Sequence, residues 1–507
     1  MTENRIAFFK SLSLIDRAFP LKVRDDPKYD NHPLINKEAI DDAIKEYRNK
    51  VAYATRKNIS NVSVLKANIE GRLLAENIPE IPSIVIDDIC TKEILRKTLN
   101  KYDITHIALS VYATGLSNSI KIIKTIQSEF YDLELYIGGV GTVYPCLQEL
   151  VEPKNTCIGN GINWLRDKFN LKPLSNEEFK IPKIFGDFPE SPVPMKTAFL
   201  ITQLGCPNDC DFCITPNFLK YKPLSNEDKI IQFIEDLCSE SNKDIFLFMV
   251  EPNAFFPEHT WKKIFNHFIE NSGEIDNNIF IGFEGSLNHI NKFDLETIQR
   301  KSPIKFLLIS YGIESTLRGG YLKNQGNPEK IVERLNKVGI VTKQNYILGL
   351  PFHTKKDIDL EIENNLKFRP DLYSVYNFKP IPRTPLYNKL KSENRLYDKT
   401  LPLEFLYAFG FLPFNHEYLG GGFNILKYIF KGIYENEKRS IDIYGNFSNK
   451  LLDLFALTNS RKIKWAAKSF MKINSMYLYS FRARMPKRVT AIYKQRLKSL
   501  KQKYKNL

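Results

Sequence analysis

Two stretches of this chain alternate short apolar runs with segments of helical periodicity, and this alternation restricts the fold more than any other feature. In the first stretch, the helical segments 92–100 and 119–130 separate the apolar runs 83–89, 105–111 and 133–137. Buried strands that alternate with helices of about ten residues are typical of a parallel, doubly wound sheet. Ligands of such sheets bind beyond the carboxyl ends of the strands. We therefore predict an α/β fold that begins with a Rossmann-like domain.

The second stretch contains six further strand-and-helix units. The predicted strands are 197–204, 244–250, 279–286, 305–312, 342–349 and 372–380. The helices between them include 226–238, 261–270, 328–338 and 355–366. Six consecutive units of this kind favour a partial (β/α)6 barrel over a second flat sheet. The loops after the strands of such a barrel carry its chemistry.

A length of 507 residues is too great for one core and predicts two or three domains. Proline-rich sequence between the two series indicates a linker, because proline interrupts regular elements. We divide the chain into an N-terminal extension, a Rossmann-like domain, a linker, a barrel and a helical, basic C-terminal region: 1–80, 81–175, 176–193, 194–395 and 396–507. The sequence shows neither a spanning apolar run nor a signal peptide, so we expect a cytoplasmic protein with reduced thiols.

Three of the seven cysteines lie close together in the loop after the first predicted barrel strand. The spacing of Cys206, Cys210 and Cys213 lets their thiolates ligate three irons of one cluster. The fourth iron then has no protein ligand, and an open position is typical of a catalytic metal centre. The alternative is structural zinc, which needs a fourth Cys or His nearby. The nearest cysteine, Cys238, lies in the following helix, and no histidine occurs between residues 107 and 258. We therefore predict a four-iron four-sulfur cluster.

This cysteine motif, with Phe212 directly before the third cysteine, resembles that of the radical S-adenosylmethionine (SAM) superfamily. Other segments resemble its cobalamin-binding subfamily, so that the resemblance covers roughly residues 83–390. It implies that the amino and carboxylate groups of SAM chelate the open iron. One electron from the reduced cluster then yields a 5′-deoxyadenosyl radical, which abstracts hydrogen from a substrate. In such enzymes the cofactor does the difficult chemistry, and the protein supplies alignment and exclusion of water.

Four barrel segments carry the resemblance beyond the cysteines. Glu251, at the end of the second barrel strand, matches the acidic position that holds the methionyl amino group. Glu314 and Ser315 end the fourth strand and are also predicted to bind SAM. Gly349 ends the fifth strand beside the expected adenine, and 380–387 resembles the closing segment of the barrel. Each of these taken alone also fits a solvated loop acid or an ordinary turn.

The predicted Rossmann-like domain resembles the cobalamin-binding domain of the same subfamily. The matching positions are Thr114, Gly138, Gly139, Gly141, Gly159 and Gly161. Glycines at strand ends let the backbone approach a large planar ligand, although they also serve tight turns. The chain has no Asp-x-His-x-x-Gly sequence, so no lower cobalt ligand is evident, and His106 is predicted to be structural. Asn160 and Asn163 stand where family members commonly carry glutamates.

The net charge of +15 is concentrated at the C-terminus. Residues 461–507 contain 15 Lys and Arg residues, no Asp or Glu, and several aromatic residues. A localised positive surface attracts phosphate groups. The segment suits a helical cap on the barrel or an anionic membrane surface, and nucleic acid less well. Peripheral attachment at the inner membrane face is thus one alternative to a purely structural cap.

Together these features predict a cobalamin-dependent radical SAM enzyme that functionalises an unactivated carbon, through C-methylation of a lipid or natural-product-type substrate. One alternative is radical cyclisation, oxidation or carbon–carbon bond formation without methyl transfer. An alternative from another class is a non-catalytic iron–sulfur scaffold at a membrane. The expected cofactors are the four-iron four-sulfur cluster, SAM and cobalamin. The expected partners are a small-molecule or lipid substrate and an electron donor such as flavodoxin or ferredoxin.

Overall fold

A computed structural model describes residues 4–12, 19–47, 67–186, 195–317, 326–397 and 401–436. The basic segment 461–507 lies outside the described residues, so its predicted roles remain predictions. In the part of the chain that is described, no helix is long and apolar enough to cross a membrane.

The N-terminal sheet has four parallel strands and begins within the first 80 residues. Its strands are β1 (Ile6–Ser11), β2 (Ser83–Ile89), β3 (His106–Val111) and β4 (Glu134–Gly138). The strand order is β2-β1-β3-β4, and every neighbouring pair is parallel. The predicted doubly wound sheet is confirmed, but the segment 1–80 supplies a fully buried central strand and is not merely an extension. Sequence reasoning missed β1 because the chain makes a long excursion before β2, without the strand-and-helix rhythm.

Helices and short turns follow the strands of this sheet. The helices before residue 170 are α1 (Phe19–Asp25), α2 (Lys37–Tyr47), α3 (Ile69–Glu76), α4 (Lys92–Lys101), α5 (Leu116–Glu129), α6 (Pro145–Gln148) and α7 (Gly161–Lys168). Asn68 caps α3, where its side chain accepts a hydrogen bond from Gly71 N at 3.0 Å, and Thr91 caps α4 in the same way. The 3-10 turns Ala113–Gly115 and Val140–Val143 follow β3 and β4 at the carboxyl edge.

The second sheet has seven strands, six of which are parallel and follow chain order. They are β5 (Ile184–Gly186), β6 (Lys196–Leu200), β9 (Ile245–Met249), β10 (Ile279–Glu284), β11 (Ile304–Glu314), β12 (Val341–Leu348) and β13 (Leu372–Asn377). The order β13-β12-β11-β10-β9-β6-β5 confirms the predicted partial (β/α)6 barrel. The predicted linker 176–193 contains β5, which pairs antiparallel with β6 and extends the sheet. A short hairpin of β7 (Gln203–Leu204) and β8 (Lys222–Pro223) encloses the cysteine loop.

The barrel helices cover the outer face of this sheet. They are α8 (Ile214–Phe218), α9 (Glu227–Ser239), α10 (Glu258–Glu270), α11 (Leu287–Ile290), α12 (Leu295–Lys301), α13 (Pro328–Lys337), α14 (Lys355–Lys367) and α15 (Pro385–Ser392). Phe255 is fully buried between α10 and the sheet, where its ring centroid lies 4.8 Å from Trp261 and 4.4 Å from Phe283. Such aromatic packing fixes the helices against the strands.

Apolar side chains close the amino end of the barrel interior. Phe280 and Val341 are buried there, and Phe246 packs beside them. Farther along the strands the interior contains polar side chains. Asn345 Nδ2, for example, donates a hydrogen bond to Ser310 Oγ at 2.9 Å. The chemistry is therefore expected at the carboxyl end of the strands, as in other barrels.

The C-terminal segment 401–436 packs against both sheets. It contains α16 (Leu403–Leu406) and a helix over 426–436, and the remainder is largely irregular, so the described part of the predicted helical region is helical only in part. Its buried phenylalanines belong to one apolar core that also includes Ile107 of β3 and Leu348 of β12. This common core fixes the two sheets relative to each other.

Candidate active site

A cavity of about 370 Å³ lies between the carboxyl end of the N-terminal sheet and the loops of the barrel. Tyr112 and Gly138, at the ends of β3 and β4, line one side of it. Gly205, Phe218 and Pro252 line the barrel side. Most of the lining is apolar, and the volume falls in the range of small-molecule and cofactor sites, roughly 300–1,000 Å³. The two halves of the molecule thus share one cavity.

The three predicted cluster ligands lie in the loop between β7 and α8, at the edge of this cavity. Cys206, Cys210 and Cys213 are all partly exposed, and Cys213 N donates a hydrogen bond to Cys210 O at 3.1 Å. The loop starts at Gly205, whose φ is +69°. A β carbon there would lie 2.3 Å from Leu219 O, so only glycine lets the two ends of the loop approach each other.

The loop is anchored to the rest of the barrel beside Phe212. Asp211 O accepts a hydrogen bond from Leu386 N of α15 at 3.1 Å, and the ring of Phe212 packs against the common core. The structure thus places Phe212 as a support for the loop, and its predicted contact with SAM remains a prediction. The predicted closing segment 380–387 lies here too, so that the first and last loops of the barrel meet.

The other cysteines differ from the triad in their surroundings. Burial raises the pKa of Cys90, Cys157 and Cys238 to about 12, so their thiols stay protonated at neutral pH. A thiolate is the form that binds metal. All seven cysteines are among the described residues, and none forms a disulfide. The thiols of Cys90, Cys157 and Cys238 are therefore poor metal ligands at neutral pH.

The spacing of the triad suits a cluster better than a single ion. Within the described ranges, no three His, Cys, Asp or Glu side chains converge on a point that could hold one metal ion. In an iron–sulfur cluster each thiolate binds a different iron, so the sulfur atoms stand apart from one another. The four-iron four-sulfur cluster at the triad therefore remains a prediction from the cysteine spacing.

Glu251 follows β9 and is almost completely buried, at 2% exposure. Its Oε1 accepts hydrogen bonds from the backbone N–H of Thr202 and from Thr202 Oγ1, the latter at 2.7 Å. Its Oε2 is buried without a hydrogen-bond partner among the described residues. Burial raises the pKa of this carboxyl to about 7, against the hydrogen bonds, which lower it. A solvated loop acid is excluded, because the group faces no solvent.

Sequence reasoning missed Gln203, which follows Thr202 and lines the cavity. It is 3% exposed, and its Nε2 donates to Asn253 O at 2.7 Å. Its Oε1 is buried and also lacks a partner in the described structure. The only sequence signal was its position two residues before the glycine of the cysteine loop.

The pair Glu70 and Tyr112 was also missed, and both residues line the cavity. The hydroxyl of Tyr112 donates a hydrogen bond to the Glu70 carboxylate. Glu70 lies on α3, in the segment 1–80 that carried no recognisable motif. The pair supplies a polar contact on the N-terminal side of an otherwise apolar cavity.

The residues after β11 belong to an internal network. Glu314, the last residue of β11, has a φ of +60°, a left-handed conformation that non-glycine residues rarely adopt. The hydroxyl of Ser315 donates a hydrogen bond to Glu361 of α14, which also accepts one from Thr316 N at 2.8 Å. Both Ser315 and Glu361 are fully buried, and His353 Nε2 lies 3.5 Å from the carboxylate. The structure gives the Ser315 hydroxyl an internal partner, and its predicted contact with SAM stays a prediction.

The predicted glycine positions separate into those that line the cavity and those that do not. Gly138, Gly139, Gly159 and Gly161 line it, whereas Thr114, Gly141 and Gly349 are absent from its described lining. A β carbon at Gly349 would lie 3.2 Å from the side chains of both Leu412 and Ile425, so this residue contacts the C-terminal segment.

Gly139 has a structural requirement of its own. Its φ is +92°, and a β carbon there would lie 2.7 Å from Val111 O at the end of β3. The turn after β4 therefore needs glycine for local packing, as well as for any approach of a ligand.

No histidine lines the cavity, and all seven histidines of the chain lie within the described ranges. His106 begins β3, where it stacks on Tyr136 at 5.7 Å and lies 3.7 Å from Glu134. Burial lowers its pKa, so it is neutral near pH 7. Its place at the amino end of the strand agrees with the predicted structural role.

No protein-family model matches the chain. A curated relative, the anaerobic magnesium-protoporphyrin IX monomethyl ester cyclase of Cereibacter sphaeroides, is 22% identical over 214 residues. The match covers 41% of this chain and 34% of that protein, so it spans about a third of the relative's length.

Solved structures match a larger share of the fold. The radical SAM methyltransferase TsrM of Kitasatospora setae, with tryptophan substrate and a SAM analogue, is 14% identical, with a TM-score of 0.51. That match covers 66% of this chain and 74% of TsrM. TsrM with cobalamin and a [4Fe-4S] cluster is 13% identical over 77% of this chain and 78% of its own, also with a TM-score of 0.51.

The cobalamin-dependent SAM radical enzyme OxsB is 14% identical, with a TM-score of 0.50, over 94% of this chain and 71% of its own. The fold implied by the cysteine motif and the glycine-rich turns is therefore confirmed. The chain has the two-domain fold of the cobalamin-dependent radical SAM enzymes.

Proposed function

We propose that the chain is a cobalamin-dependent radical SAM enzyme that methylates an unactivated carbon of a small-molecule substrate. The shared cavity is the observation that carries this proposal. Doubly wound sheets bind ligands beyond the carboxyl ends of their strands, and here that edge faces the cysteine loop. A cofactor held by the N-terminal sheet and a cluster held by the loop would therefore be neighbours.

The residues at the site fit the three groups that the proposal requires. Cys206, Cys210 and Cys213 supply thiolates for the cluster, and Glu251 offers a buried acceptor for the ammonium group of SAM. The cavity, lined by the glycine turn that includes Gly138, would hold cobalamin. When bound, the cluster and SAM supply a carbon radical, and cobalamin supplies a transferable methyl group.

The protein's own part is to bind, orient and exclude water. Leu73, Leu204 and Phe218 form part of an apolar wall around the cavity, which keeps reactive groups away from water. Glu251 carries the charge that would retain an ammonium group, and Thr202 holds its carboxylate in one orientation. The lack of a histidine in the cavity means that the chain offers no imidazole to a cobalt ion there.

The comparisons include a relative of each chemistry. The methyltransferase TsrM matches in fold, and the cyclase matches in sequence over about a third of its length. Both chemistries start from the same radical, so the product decides between them. Methylation adds one methyl group and converts one SAM to S-adenosylhomocysteine.

A polar small molecule fits the barrel better than a lipid does. Asn345 Oδ1 is buried near the middle of β12 without a partner among the described residues. A substrate N–H or O–H group would satisfy it, whereas an acyl chain would leave it unpaired. A lipid substrate, an anionic membrane surface at 461–507 and a flavodoxin or ferredoxin electron donor remain hypotheses from the sequence.

The test is anaerobic reconstitution with iron, sulfide and hydroxocobalamin, followed by assay with SAM and a strong reductant. Mass spectrometry would measure 5′-deoxyadenosine and S-adenosylhomocysteine, and absorption spectra would measure bound cobalamin. We expect Cys210→Ala to reduce 5′-deoxyadenosine to the level seen without reductant, because the cluster loses one of three ligands.

Cys238→Ala is the matched control, because burial keeps that thiol protonated and it lies outside the loop. It should retain wild-type turnover. Equal 5′-deoxyadenosine from wild type and Cys210→Ala, despite a full cluster in the wild type, would contradict the catalytic proposal and favour a scaffold. Formation of 5′-deoxyadenosine without bound cobalamin would support radical chemistry of another kind.

A further inference from the structure

Two acceptor oxygens are buried on residues that begin β7 and follow β9, and neither has a hydrogen-bond partner in the described structure. They are Gln203 Oε1 and Glu251 Oε2, on side chains that are 3% and 2% exposed. Most buried polar atoms in proteins are paired, because an unpaired one loses its hydration without compensation. Thr202, the residue before Gln203, contacts the Glu251 carboxylate at 2.7 Å, so the two side chains belong to one region of the barrel. Two such atoms there indicate a site whose occupant donates hydrogen bonds.

The orientation of the Gln203 amide is fixed by its other contact. Its Nε2 donates to Asn253 O at 2.7 Å, and a backbone carbonyl can only accept. The amide nitrogen must therefore face Asn253, which leaves the oxygen as the unpaired atom. Asn253 is itself held, because its Oδ1 accepts from Ser286 N at 2.9 Å and its Nδ2 lies 3.0 Å from His289 Nδ1.

The Glu251 carboxylate is held just as firmly by Thr202, the residue before Gln203. Its Oε1 accepts the hydrogen bonds from Thr202, and its Oε2 has no partner among the described residues. The site thus presents one neutral and one ionisable acceptor at fixed positions. An ammonium group suits these two acceptors, because it has three N–H donors, no acceptor and a charge opposite to that of the carboxylate.

We propose that Gln203 shares with Glu251 the binding of the α-amino group of SAM. The proposal rests on the proposed function and adds a second protein ligand for that group. Gln203 also lines the interdomain cavity, between the cysteine loop and the acidic position. A single side chain thereby connects the SAM site with the cavity assigned to cobalamin.

The test compares Gln203→Met with the wild type, because methionine keeps the length of the side chain and removes both polar atoms. Each protein would carry the reconstituted cluster, and anaerobic calorimetry would measure the Kd of SAM. We expect Gln203→Met to weaken SAM binding about 10-fold or more, the usual effect of losing a hydrogen bond to a charged group. Binding of 5′-methylthioadenosine, which lacks the amino acid moiety, should change little.

Gln344→Met is the matched control. Gln344 is fully buried in β12, but both ends of its amide are paired, with Tyr311 OH at 3.0 Å and Asn365 Oδ1 at 2.6 Å. Its substitution should lower the thermal midpoint more than Gln203→Met does and should leave the Kd of SAM unchanged.

Three outcomes would overturn the inference or its foundation. If wild type and Gln203→Met bind SAM equally, Gln203 is not a ligand, although the proposed function stands. If both SAM and 5′-methylthioadenosine bind more weakly to the variant, the effect is a general distortion and the inference fails. If the cluster-loaded wild type does not bind SAM, the proposed function itself fails.

Discussion

At the scale of single residues, the most informative group is the carboxylate of Glu251, which is shielded from solvent. Glu251 is buried, and its pKa is raised to about 7, from an ordinary value of 4.5. The folded, ligand-free protein therefore keeps a proton that the unfolded chain releases between pH 4.5 and pH 7. The contribution of this group to stability falls as the pH rises through that window. A bound cation would offset the free-energy cost of burying the charged carboxylate.

This raised pKa predicts that Glu251→Gln stabilises the ligand-free protein at pH 8, by about 1–3 kcal/mol, because the neutral amide avoids a buried charge. The difference should shrink as the pH falls toward 5, where the wild-type carboxyl is already protonated. Urea unfolding at the two pH values would measure it. The same variant should lose SAM affinity at pH 8. A variant less stable than wild type at pH 8 would contradict this account of Glu251.

At the scale of elements, the carboxyl edges of the strands show which glycines are structural. Gly139 and Gly138 are neighbours at the end of β4, and both line the cavity. Only Gly139 combines a φ of +92° with a close backbone contact to Val111. At Gly138 an added β carbon would meet only Cys157, at the ordinary distance of 3.7 Å.

We therefore expect Gly139→Ala to destabilise the protein by about 1–3 kcal/mol, from left-handed strain and a backbone clash, and to weaken cobalamin binding. Gly138→Ala should keep the stability of the wild type, and any loss of cobalamin affinity in it would come from the cavity alone. Thermal unfolding and cobalamin titration would separate the two effects. Equal stability of the two variants would show that the turn can relax.

At the scale of the whole molecule, the C-terminal segment joins the two sheets. Tyr144, after β4, and Tyr407, after α16, form a hydrogen bond of 2.6 Å between their hydroxyl oxygens. Burial raises the pKa of both phenols, so both hydroxyl groups stay protonated. One hydroxyl donates the hydrogen bond and the other accepts it. This contact links residues 263 positions apart and lies within the common core.

Tyr144→Phe and Tyr407→Phe should each cost about 1–2 kcal/mol of stability, because each leaves one buried hydroxyl unpaired. The double variant should cost less than the sum, since it removes both partners at once. Thermal unfolding of the four proteins would give the coupling energy. Strict additivity would show that the hydrogen bond does not contribute to joining the sheets.

Sequence reasoning found the elements whose signal is local. The barrel strands and the cysteine loop were predicted from apolar runs and residue spacing, and β11 and β12 lie within one or two residues of the predicted bounds at all of their ends. The strand β1 and the edge strand β5 were not predicted. Each is isolated from the rhythm of its sheet, and its pairing is decided by residues far away in the chain.

The amino-acid sequence by itself determined the α/β class, the partial barrel and the cysteine triad, because periodicity and close spacing are properties of neighbouring residues. Only the tertiary structure decided that Glu251 is buried, that Gln203 has an unpaired oxygen in the same region of the barrel, and that Ser315 is bound to Glu361. Burial and pairing depend on strands that are adjacent in space and distant in sequence. No local pattern records them, and it is these long-range contacts that turn a set of motifs into a binding site.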